Sequence, residues 1–367
     1  MKKFNVAVIG VGAVGIEMLR VLRQRNFPIG ELRVFARSAR DIEVDGQKYS
    51  VQAISPDGFE GIDIALFAGT EGEKGAAVTY AKEAIKRGAV VIDNGVDFRM
   101  DPKVPLVVPE VNAHDIKRHK GIIANPNCST IQMVVALNPI YKKAGIKRII
   151  VTTLQASSGA GKGAVEQLRE ETARIAAAGF ENVHVNLENK VMPQQLAYNV
   201  FPHIGTFVDG DYSAGARTGY SAVAGYSAGA RTGYSAVAGY TNEEWKLVKE
   251  THKIMHDNKI KISATTVRVP VRTGHSESVY IETQKHITPE KVRSILAKAP
   301  GVIVIDEPKK NLYPMPKDAE GKDETFVGRI RQDCFVKNGL WLWVVADNLR
   351  KGASLNAVQI AECVISA

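Results

Sequence analysis

Asn127-Cys128-Ser129-Thr130 stands directly before a strongly apolar stretch, residues 131–140, whose pattern predicts a helix. A cysteine at that junction faces the positive end of a helix dipole and free backbone N–H groups, a setting that lowers a thiol's pKa and can hold an oxyanion. Cys128 is therefore the candidate nucleophile. Such a thiol needs a proton carrier, and His275, on a turn predicted to follow the strand that includes Arg268, titrates near neutral pH as acid–base work requires. Strand alternation can turn Arg268 into the same cleft, where its guanidinium would clasp a carboxylate. Cys334 and Cys363 have no such junction and read as inert core residues. Three scattered cysteines give neither a disulfide framework nor the paired spacing of a zinc site, so no metal is expected.

A second constellation suits a dinucleotide. Gly10-Val11-Gly12-Ala13-Val14-Gly15 matches G-x-G-x-x-G between an apolar run, residues 5–10, and a helical pattern over 15–25. The first glycine permits the tight turn, the second admits a pyrophosphate to the backbone, and the third lets helix and strand pack closely. Where NAD sites carry an acid near the end of the second strand, this chain has Arg37-Ser38. A guanidinium and a hydroxyl suit a 2′-phosphate, so NADP is the expected cofactor.

The elements that must position these residues alternate. Strands are expected at 31–36, 63–68, 90–93 and 121–125, with a helix over 73–87, which predicts an α/β, Rossmann-type, doubly wound parallel sheet. Beyond about residue 141 the pattern turns α+β. Strands are predicted at 148–155, 261–270, 276–283, 302–306 and 340–346, and helices at 162–178, 242–257 and 289–297. Residues 349–365 read as a helix returning to the first unit. Two domains follow: 1–127 with 348–367 for the dinucleotide, and 128–347 for catalysis and dimerisation.

Length and composition agree with that division. A chain of 367 residues, 45% hydrophobic and 24% charged, exceeds what a single core usually organises. No apolar run is long enough to span a bilayer and the N-terminus runs straight into a strand, so a cytoplasmic enzyme without a membrane partner is expected. The net charge of +9 is dispersed, with no basic block or nucleic-acid module. It favours small anionic ligands over nucleic acid. One segment fits neither domain pattern: Tyr212–Gly225 recurs unchanged as Tyr226–Gly239, and residues 213–240 read as a duplicated surface insert.

Together these segments resemble the aspartate-semialdehyde dehydrogenase family over almost the whole chain outside the insert. The likeness rests on the glycine loop, residues 98–101 and 108–112, Asn127-Cys128-Ser129-Thr130, Gln155 with residues 157–161, residues 243–246, 268–275 and 346–352. It implies NADPH-dependent reduction of L-aspartyl 4-phosphate to L-aspartate 4-semialdehyde with release of inorganic phosphate, in lysine, methionine and threonine biosynthesis, by a homodimer. By that resemblance Cys128 forms a thioester, His275 is the acid–base residue and Gln155 orients the substrate. Arg268 would take the α-carboxylate and Glu243 the amino group. Arg99 and Lys246 would take the phosphate, with Asn127 a further substrate contact. Arg37, Ser38, Ser158, Gly159 and Asn348 would complete the NADP site.

Three departures mark this chain. Its glycine loop is one residue shorter than the family's usual loop, residues 94–97 replace a serine-bearing run, and the duplicated insert ends just before the helix carrying Glu243 and Lys246. Two alternatives stay open at this point: a reductase of another acyl phosphate or of an acyl-CoA, and a non-catalytic NADP-binding relative.

Overall fold

The apolar run near the N-terminus, β1 (Phe4–Ile9), is the hub of the first unit. In the computed structural model, which describes residues 2–69, 75–187, 190–208 and 239–366, it pairs in parallel with a strand on either side. The chain continues through α1 (Ala13–Gln24), β2 (Ile29–Ala36), β3 (Arg40–Val44), β4 (Gln47–Ala53), β5 (Ile64–Phe67), α2 (Ala76–Lys86), β6 (Val90–Asp93), α3 (Pro109–Asn112) and β7 (Ile122–Ala124). The sheet order is β3-β4-β2-β1-β5-β6-β7, parallel throughout except for the β3–β4 hairpin at its edge. That hairpin is absent from the sequence expectation, although Asp45-Gly46, both at positive φ, is the turn that joins such strands.

The second unit starts at α4 (Cys128–Ala144) and runs through β8 (Ile146–Gln155), α5 (Lys162–Ala177), α6 (Asn242–Met255), β9 (Lys261–Arg268), β10 (His275–Thr283), α7 (Pro289–Leu296), β11 (Val302–Val304), α8 (Pro316–Ala319), β12 (Thr325–Gln332) and β13 (Gly339–Ala346). Its mixed sheet has the order β11-β12-β13-β10-β8-β9. Strand β12 is also absent from the sequence expectation; Gly328 and Arg329, the latter at φ 51°, break its register with β13 and its apolar alternation. Helix α4 buries nearly its whole length between this sheet and α6, which explains its continuously apolar pattern.

After β13 a π-helical turn, Arg350–Ser354, leads into α9 (Leu355–Ile365), which packs with α1 in the core of the first unit. The predicted return of the C-terminus is thus seen, with a π turn at its start. Among the described residues no helix is long and apolar enough to cross a membrane. The duplicated repeat falls almost wholly outside the described residues. Cys334 is exposed and Cys363 half-buried, so the expectation of two core thiols is corrected: neither is sealed by packing on all sides.

Candidate active site

Two clefts meet where the sheets present their strand ends. The larger, of about 890 Å³, is lined by Gly10 to Gly15, by Arg37, Ser38 and Arg40, by Ala68 and Gly69 after β5, and by Ser158 and Gly159. It opens between β1 and β5, where the strand order reverses, the usual ligand position in a doubly wound sheet. Gly10 has φ +101°, and a Cβ at Gly15 would sit 1.8 Å from the carbonyl oxygen of Gly10, so the turn closes only with glycine there. Gly12 meets nothing within 4 Å and caps α1 without a side-chain hydrogen bond, leaving the first-turn N–H groups facing open space. The short loop therefore still forms the cradle that a pyrophosphate requires. No acidic residue lines this cleft among the described residues.

The smaller cleft, about 260 Å³, shares Val14, Ala68, Gly69, Ser158, Gly159 and Leu349 with the first and ends on Cys128. Arg99, Asn127, Gln155, Glu243, Lys246, Arg268 and Asn348 all line it. Parallel pairing sets Gln155 at the end of β8 opposite Arg268 at the end of β9. His275 opens β10, next to Ser276, which pairs with Leu154. The sequence placed His275 on a turn; it is instead the first residue of a strand and fully buried. Ser158 and Asn348 hydrogen-bond each other at 3.0 Å, and Asn348 Oδ1 accepts the N–H of Gly274.

Asn127 is the N-cap of α4, its Oδ1 accepting the N–H groups of Ser129 at 3.0 Å and Thr130 at 3.3 Å. Its Nδ2 donates to Glu243 Oε1 at 2.8 Å, and Gln155 Nε2 donates to the same oxygen at 3.2 Å. Lys246 Nζ reaches Glu243 Oε2 at 3.2 Å. Burial by itself would raise the Glu243 carboxyl, but Lys246 and the two amides hold it below the ordinary carboxylate range. A capping box between Thr241 and Glu244 fixes the start of α6, so the repeat that ends just ahead of it does not displace Glu243 from the cleft.

The electrostatics of the nucleophile run against the sequence expectation. Burial pushes the Cys128 thiol up to about 12, with the Glu243 charge adding to it, while Arg99, the Ser129 N–H and Lys246 pull the other way. The helix terminus alone does not ionise this sulfur. Burial, reinforced by Arg268, carries His275 down to about 3. Its Nδ1 accepts the Ala156 N–H at 3.1 Å, which places the proton of the neutral ring on Nε2, an atom without a hydrogen-bond partner. Arg268 gives one N–H to the Ala156 carbonyl, leaves Nε unpaired, and has no carboxylate within ion-pair distance among the described residues. A buried guanidinium without a counter-ion is a strong anion receptor. Facing it across one small cleft stands the carboxylate of Glu243, so the pair matches a ligand carrying both an anionic and a cationic end.

Two family models match the chain. The model described as the NAD-binding domain of semialdehyde dehydrogenase matches residues 5–119, and that of the semialdehyde dehydrogenase dimerisation domain matches 137–219 and 215–351. The aspartate-semialdehyde dehydrogenase of Aquifex aeolicus (strain VF5) is 50% identical, over 99% of this chain and 98% of that one. The chain belongs to the aspartate-semialdehyde dehydrogenase family. The aspartate-semialdehyde dehydrogenase of Bacillus subtilis (strain 168) is 46% identical, over 98% of this chain and 96% of its own length. Among solved structures, aspartate semialdehyde dehydrogenase II from Vibrio cholerae superposes with a TM-score of 0.85 at 41% identity, covering 100% of this chain and 99% of that one. Its complex with ASA gives the same values.

In this aspartate-semialdehyde dehydrogenase family member four residues that the sequence reading gave no individual site role shape the site. Glu250 accepts Arg99 Nη1 at 3.0 Å and the Asn127 N–H at 2.7 Å. It lies seven positions after Glu243 on α6, so helical periodicity places both on one face, a signal present in the sequence. Asn94 supplies a carbonyl to Arg99 Nη2 and makes side-chain bonds to Phe67 and Asn125. Gly352 lets the π turn approach Cys128: a Cβ there would stand 2.8 Å from that of Cys128. Arg40, across the β2–β3 turn from Arg37, lines the outer end of the larger cleft.

Proposed function

We propose that this chain reduces L-aspartyl 4-phosphate to L-aspartate 4-semialdehyde with NADPH, releasing inorganic phosphate, and runs the reverse, phosphorylating oxidation. The observation that carries the reading is the small cleft in which Cys128 lies between a counter-ion-free Arg268 and a Glu243 carboxylate, and which opens into the dinucleotide cleft. The α-carboxylate sits on Arg268 and the α-ammonium on Glu243, which leaves the far carbonyl of a four-carbon chain at the sulfur. Arg99, with its unpaired Nε, and Lys246 take the phosphate. An acyl-CoA or acylated-amine substrate would bring no ammonium to Glu243, leaving that carboxylate to Lys246 alone, and this favours a substrate with a free α-amino group.

In the reaction Cys128 Sγ adds to the acyl carbon, the C–O bond to phosphate breaks with its electron pair going to the departing phosphate, the thiol proton ends on that phosphate, and a thioester remains. The cofactor, when bound, would supply the hydride, and the C–S bond breaks with its electron pair returning to Cys128 Sγ as the aldehyde is released. Gln155 holds the carbonyl side of the substrate through an amide already anchored on Ser129 Oγ and Glu243. His275 moves the proton at Nε2, its ring held in place by the Ala156 N–H.

The same reading assigns residues 1–127 and 348–367 to the cofactor and 128–347 to catalysis and dimerisation, as a homodimer. Arg37, Ser38 and Arg40, in a cleft with no acid among its described lining residues, support a preference for NADP, and a cytoplasmic setting suits such substrates. The test is phosphate-dependent reduction of NADP by aspartate semialdehyde, compared with the Cys128→Ala variant. Turnover that needs both phosphate and Cys128 is expected; no turnover, or turnover surviving in the variant, overturns the proposal.

A further inference from the structure

A second large cleft, of about 810 Å³, lies against the C-terminal half of α6, away from Cys128. It is nearly as large as the dinucleotide cleft, and nothing in the proposed reaction uses it. Its lining joins two chemistries. Lys103, Arg118, Lys120 and Lys249 make it basic, while Met100, Pro102, Pro105 and Leu106 give it apolar surface. Met100 is 46% exposed and offers apolar surface at the rim of the cleft. Asp115 is the single acid among the described lining residues, and its Oδ2 is already taken by Asn112 at 2.8 Å and His256 at 2.7 Å. His114, Asp115 and His256 bring potential metal-ligand atoms within 4.8 Å of one another, but the surrounding cations oppose a metal ion there. Clustered cations in a cavity with few acids focus potential on an anion, and a cavity as opposed to a long stripe suits a small ligand better than a nucleic-acid strand.

The floor of this cleft is wired to the active site. Lys253 spends its three N–H bonds on the carbonyls of Arg99 at 2.6 Å, Asp101 at 2.8 Å and Val104 at 2.8 Å, tying the loop that carries Arg99 to α6. Helix α6 in turn carries Glu243, Lys246 and Glu250. A ligand spanning Lys103 on the loop and Lys249 on the helix would load that same joint.

We propose that this cleft is an effector site for an organic phosphate of nucleotide size, with its phosphates on Lys103, Arg118 and Lys120 and its apolar part against Met100 and the prolines. Occupancy shifts the loop and helix that hold Arg99, and so changes how the enzyme binds phosphate. Binding stands apart from the proposed reaction; the coupling to phosphate rests on it.

The test is calorimetric titration of ATP, pyrophosphate and adenosine into the full-length protein saturated with NADP, so that the adenylate pocket of the dinucleotide cleft is filled. The Lys103→Gln/Lys120→Gln variant, changed only at exposed positions, is the comparison. ATP should bind at one site per chain, and about tenfold or more weaker in the variant; pyrophosphate and adenosine should each bind the wild type about tenfold or more weaker than ATP. No saturable ATP binding, equal binding by the variant, or pyrophosphate binding as tightly as ATP would overturn the site. ATP should also change the KM for phosphate by about twofold or more in the wild type and not in the variant. An unchanged KM with ATP bound would overturn the coupling, whereas no NADP-linked turnover in either protein would fault the proposed reaction and leave the titration to decide the site.

Discussion

The carboxylate of Glu250 accepts the backbone N–H of Asn127 at 2.7 Å while its other oxygen holds Arg99 Nη1 at 3.0 Å. One buried group thus fixes both the residue that precedes the nucleophile and the guanidinium proposed to receive phosphate. A glutamine in its place can accept at one end only, and its NH2 must face a donor at the other. Leaving one such buried donor unpaired costs about 1–3 kcal/mol. Glu250→Gln should therefore raise the KM for phosphate by about tenfold and also change the rate at which Cys128 is alkylated in the absence of phosphate. Steady-state kinetics and iodoacetamide labelling measure the two effects. If the KM for phosphate stays at its wild-type value, the carboxylate does not position Arg99.

The thiol and imidazole begin far apart in acidity, one raised by burial and Glu243, the other lowered by burial and Arg268. A zwitterionic substrate acts on both. Its ammonium beside Glu243 offsets a charge that raises Cys128, so binding lowers the thiol from its free-enzyme value; on His275 the ammonium and the carboxylate act in opposite senses, because Glu243 raises it and Arg268 lowers it. The free enzyme keeps the thiol protonated. Glu243→Gln removes a negative charge near the sulfur, so the free-enzyme thiol pKa must fall from about 12. Alkylation of Cys128 at alkaline pH should become faster in this variant even as its turnover drops. An alkylation profile that does not move, or moves to higher pH, would contradict the role of Glu243 in holding the thiol protonated.

Gly12 and Gly15 look alike in the motif and differ in the fold. A methyl at Gly15 collides with the carbonyl of Gly10 at 1.8 Å, whereas one at Gly12 enters open space. Gly15→Ala should lower Tm by several degrees, since strain of about 1–3 kcal/mol is the usual consequence of overpacking. Gly12→Ala should melt like the wild type yet lose most of its NADP affinity, because its methyl occupies the approach of the pyrophosphate. Thermal unfolding with and without NADP separates the two. Equal melting temperatures for the two variants in the absence of cofactor would refute the assignment.

What the sequence disclosed and what it concealed follow from range. Strand β6 and the start of α7 at Thr288-Pro289 are local patterns, and they are seen as read. The β3–β4 hairpin does carry the alternation, Ile42 and Val44 against Tyr49, Val51 and Ala53 about Asp45-Gly46, but it lies at a sheet edge with only Val44 and Val51 buried, so its apolar face is short. Gln155 and Glu243 are named only through the family resemblance, whereas Cys128, Arg268 and His275 could be named from their surroundings in the chain. Their acidities could not, because the burial that sets them comes from β8, β10, α4 and α6 closing around the cleft. Glu250 was hidden for a related reason: its partners Arg99 and Asn127 are far away in sequence, and a helix-face glutamate reads as a solvated charge until that packing is known.

The duplicated repeat enters and leaves the fold at a single pinned point. Val208 donates its N–H to the Tyr240 carbonyl at 2.8 Å, Phe207 and Thr241 form an antiparallel bridge, and Asn242 donates to the Thr206 carbonyl at 2.8 Å. The α6 capping box begins at Thr241, beyond the repeat. Tyr240, which directly follows the second copy, packs its ring against that of Trp245 on the helix, with centroids 5.6 Å apart. Deleting residues 213–240 joins Tyr212 directly to Thr241, so a tyrosine again precedes the cap and can take the place of Tyr240. Shortening a loop changes its closure entropy by only about 0.6 kcal/mol per halving of length. The deletion should therefore keep kcat and the KM for aspartate semialdehyde within about twofold of the full chain and leave Tm equal or higher. Assaying both proteins side by side decides the matter: a large loss of turnover with Tm unchanged would mean that the repeat itself contributes to the reaction.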